Sequence, residues 1–431
     1  MKVMMRKELL GRMFRTAAMI MIMSMLAGAC SKNNGPEKPE DNTGQTTGPG
    51  GNGSGDQGNS GNEGGSGDEG GNEGGTSGGD HGGSGDSGDQ GGSGDSGSGG
   101  SGDQGDQPKP QITANSWMTA IDDDTKIALL TIPGTHDAAT STCAGPGKCQ
   151  TLTISGQLEH GVRAFDLRPT MDDNSTLGNI YHSILDTGVS MGNAMEYFDS
   201  FLKAHPGEGI IVIMRYESER QIFGSIAEDN YKTAMKNFLW DNRIYQSRMA
   251  AFNKSMTMKD LRGKILIISR NDLSPVSTFE TAYTQWSHSN SVGEALQIYG
   301  TGGLGRIYVQ DMYSAEKNGN SSEADFLAKK KELVCKLLDI TVPFREYDQN
   351  NWVINYCSGY AGSSFASDSY AKNAASTNPA ALEHIRAHTG KGFTGIVMMD
   401  YAGTDTYEVG GSTFSVSGKS LTEALIMNNF Q

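Results

Sequence analysis

The chain has 431 residues, 59 of them glycine, with 20% charged residues and a formal net charge of -15. That acidic balance excludes a broad basic surface, so no nucleic-acid partner is expected, while one local cationic pocket remains compatible with it. From Ser31 to Pro110 nearly every residue is Gly, Ser, Asp, Asn, Glu or Gln. A segment without apolar side chains cannot offset the entropy of ordering, and reads as a solvated tether of about 80 residues with an r.m.s. reach of ~50 Å.

Ahead of the tether, Lys2, Arg6, Lys7, Arg12 and Arg15 precede an apolar run, Ala17 to Ala27, that ends in Leu26-Ala27-Gly28-Ala29-Cys30. Basic residues, a short apolar run and small residues before a cysteine resemble a bacterial lipoprotein signal. Residues 1–30 are therefore expected to be a signal peptide ending at a lipidated Cys30. Ala27 departs from the pattern, since a larger aliphatic residue is commoner three positions before the cysteine. The run is too short for a transmembrane helix and is followed at once by polar tether. The expected location is the outer membrane, as a surface-exposed lipoprotein. Cys143, Cys149, Cys335 and Cys357 would then lie in a disulfide-permissive compartment. Cys143 and Cys149 flank a Gly-Pro-Gly loop and could close it; the other two could pair or stay buried.

Residues 111–431 remain as one folded domain. Its first strand is predicted over Ile127 to Ile132, ended by a turn at Pro133-Gly134 that presents Thr135, His136 and Asp137. Further apolar runs follow at Val162 to Arg168, Asn179 to His182, Ile210 to Tyr216, Lys264 to Arg270, Arg306 to Tyr313, Trp352 to Cys357 and Gly395 to Tyr401. Helical patterns occupy Met191 to Ala204, Tyr231 to Leu239, Ala324 to Leu338 and Ala380 to Ala387. Eight strands with intervening helices predict an α/β fold, an irregular (β/α) barrel, with a doubly wound sheet as the alternative.

Polar residues close these strands. In Val162 to Arg168 the period of two puts Asp166 and Arg168 on one face and Arg163 on the other, where an outer salt bridge accounts for Arg163. Tyr181-His182 closes the third run, Met214-Arg215 the fourth, Arg270 the fifth, Asp311 and Tyr313 the sixth, and Asp400 the eighth. Charged groups ending most strands on a common side are costly unless paired or used. Two histidines, two or three carboxylates and an arginine at one mouth are the parts for metal-free acid/base transfer at phosphorus. One imidazole takes a proton from an attacking hydroxyl, the other gives one to the leaving oxygen, and a guanidinium holds the phosphoryl oxygens.

These stretches together resemble the bacterial phosphatidylinositol-specific phospholipases C of the metal-independent type. They are Ile132 to Asp137, His160 to Arg168, Tyr181-His182, Ile210 to Arg215 after Pro206-Gly207-Glu208, Arg262 to Arg270, Val309 to Tyr313 and Met399 to Tyr401. The resemblance implies a distorted TIM barrel as a single catalytic domain. It implies His136 as general base toward the inositol 2-hydroxyl with Asp400 orienting it, and His182 as general acid supported by Asp137. Arg168 would stabilise the phosphoryl group, with Asp166 as a supporting carboxylate, while Arg215, Arg270, Asp311 and Tyr313 hold the inositol ring. The implied products are inositol 1,2-cyclic phosphate and diacylglycerol, with no cofactor. Calcium-dependent relatives lack the arginine found at Arg168, which argues against a catalytic metal. The implied partners are phosphatidylinositol or a glycosylphosphatidylinositol lipid and a membrane surface, with the protein a monomer. Arg215 stands where the best-known members have lysine, and the loop after His136 has no tryptophan. Phe365 and Tyr370, on a later loop, could enter the bilayer in its place.

Gly188-Val189-Ser190-Met191-Gly192 fits the G-x-S-x-G nucleophile pattern but does not immediately follow a strong strand. Gly300 to Gly305 fits G-x-G-x-x-G but leads into a strand and reads as a loop. A calcium-dependent glycerophosphodiester phosphodiesterase would share the barrel but needs metal-binding carboxylates not evident here. A lipoprotein that only binds an inositol lipid or glycan would not require the acid/base pair.

Overall fold

The computed structural model describes residues 112–171, 176–217, 228–271, 281–300, 302–314, 322–388 and 393–431. The signal-like N-terminus, Cys30 and the Gly-rich segment lie outside the described residues. In chain order the strands are β1 (Thr131–Thr135), β2 (Ala164–Leu167), β3 (Pro169–Met171), β4 (Leu177–His182), β5 (Leu185–Ser190), β6 (Ile210–Met214) and β7 (Ile265–Ser269). They continue with β8 (Ala282–Tyr283), β9 (Glu294–Ile298), β10 (Gly305–Gln310), β11 (Asn351–Tyr356), β12 (Gly395–Met399), β13 (Thr406–Val409) and β14 (Ser412–Ser415).

Nine strands form one sheet in the order β8-β7-β6-β2-β1-β12-β11-β10-β9. All neighbours are parallel except β9, which runs antiparallel to β10. The two sheet edges meet at Tyr283 and Tyr299, which exchange backbone hydrogen bonds of 2.8 and 2.9 Å. The result is a TIM-type barrel, distorted by one antiparallel stave. The doubly wound alternative, an open sheet, is not what forms.

Because helices cover the outside and side chains fill the inside, the central strands are apolar on both faces. The alternation is explicit in β6, where Ile210, Val212 and Met214 pack outward with Phe198 and Leu202. Ile211 and Ile213 join the inner core with Leu266, Ile268, Ile307, Val309, Ile354, Ile396 and Met398. The same inner core takes in Trp117, Met118 and Ile121 from the N-terminal segment, beyond the start of the strands.

The first strand differs from its expectation. Ile127–Leu129 form a 3-10 turn, and the strand runs through Pro133 and Gly134 instead of ending there. Proline fits because of where its missing N–H would point. Pro133 O accepts from Arg163 N, so in a parallel ladder residue 133 would donate to Gly161 O; Trp117 Nε1 fills that carbonyl instead, at 2.9 Å. Gly134 fits because a Cβ there would lie 2.4 Å from Met398 Sδ and 3.0 Å from Ala164 Cβ.

The third expected barrel strand, Asn179 to His182, belongs instead to a separate antiparallel sheet of β3, β4 and β5 that leaves the end of β2. β2 pairs directly with β6, and the ring is completed instead at its edges by two strands the sequence did not reveal, β9 and the two-residue β8, which carries too little pattern to be read. Helix Met191–Ala204 matches its expectation, with Ser190 and Asn193 forming a reciprocal cap. Ser190 is thus a helix cap. The other helices depart in extent: Glu228–Met235 continues as a π-helical turn through Trp240, and Glu323–Tyr347 runs beyond Leu338. Helix Ser369–Ala387 begins well before Ala380 and passes through Pro379. Its polar side chains hold it there: Asn373 and Thr377 both donate to Cys357 O, and Asn378 donates to Asp400 O and Val416 O. Gly300 to Gly305 leads into β10 as expected. Arg163 is buried and paired with Glu208 at 2.8 Å. Cys143, Cys149, Cys335 and Cys357 form no disulfide; of the two alternatives left open for the second pair, Cys357 is buried and Cys335 partly so. No helix among the described residues is long and apolar enough to cross a membrane.

Candidate active site

The inward alternation of the barrel decides which residues meet. Ile132 and Gly134 face in, and the next such position is His136; likewise Ala164 leads to Asp166 and Arg168, Ile213 to Arg215, Ile268 to Arg270, Val309 to Asp311, and Met398 to Asp400. Chemistry therefore gathers at the C-terminal mouth, as it does in this architecture generally. His136, Asp137, Arg168, His182, Arg215, Arg270, Asp311 and Tyr313 line a common open cleft of about 210 Å³. That is below the size of pockets enclosing drug-sized ligands, and suits a small polar group. Asp166 and Asp400 lie behind it, fully buried.

His136 Nδ1 lies 2.9 Å from Asp400 Oδ1, and its Nε2 lies 3.1 Å from Asp137 Oδ2. The same Asp137 oxygen is 3.4 Å from His182 Nε2, so one carboxylate stands between the two imidazoles. Arg168 Nε reaches Asp137 Oδ1 at 3.1 Å while its Nη2 donates to Asp166 Oδ2 at 2.8 Å. His182 Nδ1 faces Gly147 O at 3.0 Å; a carbonyl only accepts, so this nitrogen carries a proton and Nε2 is directed to Asp137 and to the Tyr370 hydroxyl, 3.0 Å away.

Burial shapes the charges. It favours neutral imidazole at His136, but Asp137 and Asp400 outweigh it and the pKa is raised. Burial would likewise raise Asp137, yet the Arg168 guanidinium, followed by His136 and His182, holds this carboxyl well below the usual range. Asp400 is pushed up by burial against the pull of His136. The backbone is strained at the same points: Asp137, Ser183 and Tyr401 adopt positive φ of 43°, 56° and 58°. Each follows a site residue, His136, His182 or Asp400, and the left-handed turn re-aims the chain just after the side chain is delivered.

The ligand atoms of His136, Asp137 and Asp166 lie within 4.8 Å of one another, near enough to hold a cation. The Arg168 guanidinium, however, bridges the two carboxylates of that set, which places a fixed positive charge where a metal would sit.

Arg270 stacks on Trp286 at 4.0 Å and approaches Asp311 at 3.6 Å, while Trp286 Nε1 donates to Asp311 Oδ2 at 2.9 Å. Arg215 pairs with Glu217 at 3.1 Å. Tyr313 N donates to His288 Nδ1 at 3.1 Å. All ten expected site residues are therefore at this mouth or directly behind it. Sequence reasoning missed Glu217, which a period of two from Arg215 would have found. It also missed Trp286 and Gln150, which carry no local signal. Gln150 Nε2 donates to His136 O at 2.8 Å and Met399 O at 2.9 Å, fixing the ends of β1 and β12 together. Tyr370 was expected to be a candidate for bilayer entry; instead it is buried in the first turn of its helix and bonded to His182. Phe365 is 55% exposed.

No family model matches the chain. A 1-phosphatidylinositol phosphodiesterase from Listeria monocytogenes is 36% identical over 171 residues, 38% of this chain, and the chain spans about half (51%) of that relative's length. One of the same name from Staphylococcus aureus (strain Newman) is 25% identical over 299 residues, 67% of this chain and 88% of that one. Among solved structures, a mutant of the phosphatidylinositol-specific phospholipase C from S. aureus superposes with a TM-score of 0.58 at 24% identity, covering 74% of this chain and 96% of the other. The phosphatidylinositol-specific phospholipase C from L. monocytogenes gives 0.51 at 23% identity, covering 74% and 99%.

Proposed function

We propose that this chain, a homologue of the bacterial phosphatidylinositol-specific phospholipases C, cleaves phosphatidylinositol to inositol 1,2-cyclic phosphate and diacylglycerol by metal-free acid/base catalysis. The observation that carries it is the pair His136 and His182 on either side of one Asp137 carboxylate, with Arg168 bound to that same carboxylate.

The Nδ1 proton of His136 is held by Asp400, so Nε2 is the atom that takes the proton of the inositol 2-hydroxyl. The freed oxygen bonds to phosphorus, the bond from phosphorus to the glycerol oxygen breaks, and the Nε2 proton of His182 goes to that leaving oxygen. Arg168 neutralises charge building on the phosphoryl oxygens, needing no reorganisation because Asp137 and Asp166 already hold it. Arg215, Glu217, Arg270, Asp311 and Tyr313 on the same cleft supply donors and acceptors for a polyhydroxylated ring. The cleft's volume supports entry of a headgroup, with the acyl chains left in the membrane.

The sequence features at the N-terminus support a lipoprotein anchored at Cys30, with the domain on a long tether at the outer surface of the outer membrane, acting as a monomer on phosphatidylinositol or glycosylphosphatidylinositol lipids. Protease added to intact cells should then release the domain; protection until lysis would contradict the surface location. The activity is tested by phosphorus NMR of the protein with phosphatidylinositol micelles and excess chelator, beside a His136→Ala control. A cyclic phosphate signal that survives chelator and is lost in the control is expected. Turnover only after calcium is restored, or no product from folded protein, would overturn the proposal.

A further inference from the structure

A second cluster of nitrogen and oxygen ligands lies beside the opposite end of β12. His384 is in the last turn of helix Ser369–Ala387, and His388 caps that helix one turn on. Asp339 comes from the neighbouring helix Glu323–Tyr347. His384 Nε2 is 3.2 Å from Asp339 Oδ1, the two imidazoles stack with centroids 4.2 Å apart, and ligand atoms of all three residues fall within 4.8 Å of one another. Beside them is a small cavity of about 20 Å³ lined by His384, His388, Phe393, Thr394 and Asn428, room for one ion or water. Thr394 directly precedes β12, whereas Asp400 directly follows it, so this cluster is remote from the cleft.

We propose that Asp339, His384 and His388 form a binding site for a divalent transition metal of the zinc class, cross-linking the two helices. Three observations carry this. The donor set is two imidazoles and one carboxylate, which suits zinc and its neighbours and not calcium or magnesium. Histidines one turn apart on a helix present both rings on one face. His388 Nδ1 is 2.8 Å from His384 O, and a carbonyl only accepts, so Nδ1 keeps the proton and Nε2 keeps the lone pair that a metal needs. The Asp339 side chain is 60% exposed, so an ion can reach its carboxylate from solvent.

The test is calorimetric titration of the full-length, chelator-stripped protein with zinc chloride, alongside thermal unfolding with and without zinc. The unmodified protein should bind a zinc equivalent that raises its melting temperature. His384→Gln/His388→Gln should lose that equivalent and the shift, while His136→Ala, at the cleft, should keep both. Asp339→Ala, an exposed substitution that cannot unfold the core, should weaken binding if the double variant proves unstable. Equal zinc binding by the unmodified protein and the Asp339 and histidine variants, or loss of zinc in His136→Ala instead, would refute the site.

Discussion

Arg168→Lys keeps the charge and removes the fork. In the structure Nε and Nη2 reach two different carboxylates, Asp137 at 3.1 Å and Asp166 at 2.8 Å. An ammonium has all its donors on one atom and must choose, so one buried carboxylate loses a charge-assisted bond. That loss is about 1.5–3 kcal/mol. If it falls on the transition state, at about 1.4 kcal/mol per tenfold, the rate drops roughly 10- to 150-fold. The assay is kcat and KM on dispersed phosphatidylinositol in chelator, with circular dichroism to check folding. The reasoning requires the loss to appear in kcat, because the guanidinium is assigned to charge that builds during the reaction. A variant within about threefold of the parent, or one with only a raised KM, would show that the fork does not serve the reacting phosphoryl group.

Three further outcomes are expected. Because Nε2 of His136 must be neutral to act, and its pKa is raised above 6.5, kcat/KM should fall as pH drops through a value above that figure. Asp400→Asn removes one of the two charges that raise it and should move this acid limb downward while lowering the plateau; an unmoved limb would assign the limb to another group. Arg163→Met should cost about 3–5 kcal/mol in urea unfolding, since Glu208 is left charged and fully buried, and Arg163→Met/Glu208→Gln, which removes the charge but keeps an acceptor for Met118 N and Thr119 N, should recover part of it. A single-variant loss below about 1 kcal/mol would mean the pair is dispensable. Gly134→Ala should cost about 1–3 kcal/mol because Met398 can shift but Ala164 on the neighbouring strand cannot; an unchanged urea midpoint would contradict that packing.

The site was more legible than the barrel that holds it. His136, Arg168, Arg215, Arg270, Asp311 and Asp400 each end an apolar run, and apolar runs have a readable phase. What escaped was set by tertiary contact. Pro133 reads as a strand breaker until Trp117, distant in sequence, is seen occupying the carbonyl it cannot reach. β8 has two residues and no periodicity. Only Ala380 to Ala387 reads as helix, because the bonds from Asn373, Thr377 and Asn378 that hold the turns before Pro379 are long-range. Tyr370 looked like a loop aromatic for the same reason: its helix could not be read back past the proline.

The meeting of Tyr283 and Tyr299 makes the barrel a split ring. Along β6 and β7 five residue pairs share the circumferential load, whereas the described residues join here at one pair with two backbone hydrogen bonds. Any change in girth is therefore cheapest here. The chain leaving β8 carries Trp286, whose contacts with Arg270 and Asp311 shape one wall of the cleft. The split in the ring thus lies beside the wall assigned to the inositol ring, and away from β12, β1 and β2, where five residue pairs join β12 to β1 and two join β1 to β2, and which supply His136, Arg168 and Asp400. Under the proposed function, substitutions at the split should shift headgroup selectivity while the His136–Asp400 and Arg168–Asp166 contacts stay in place.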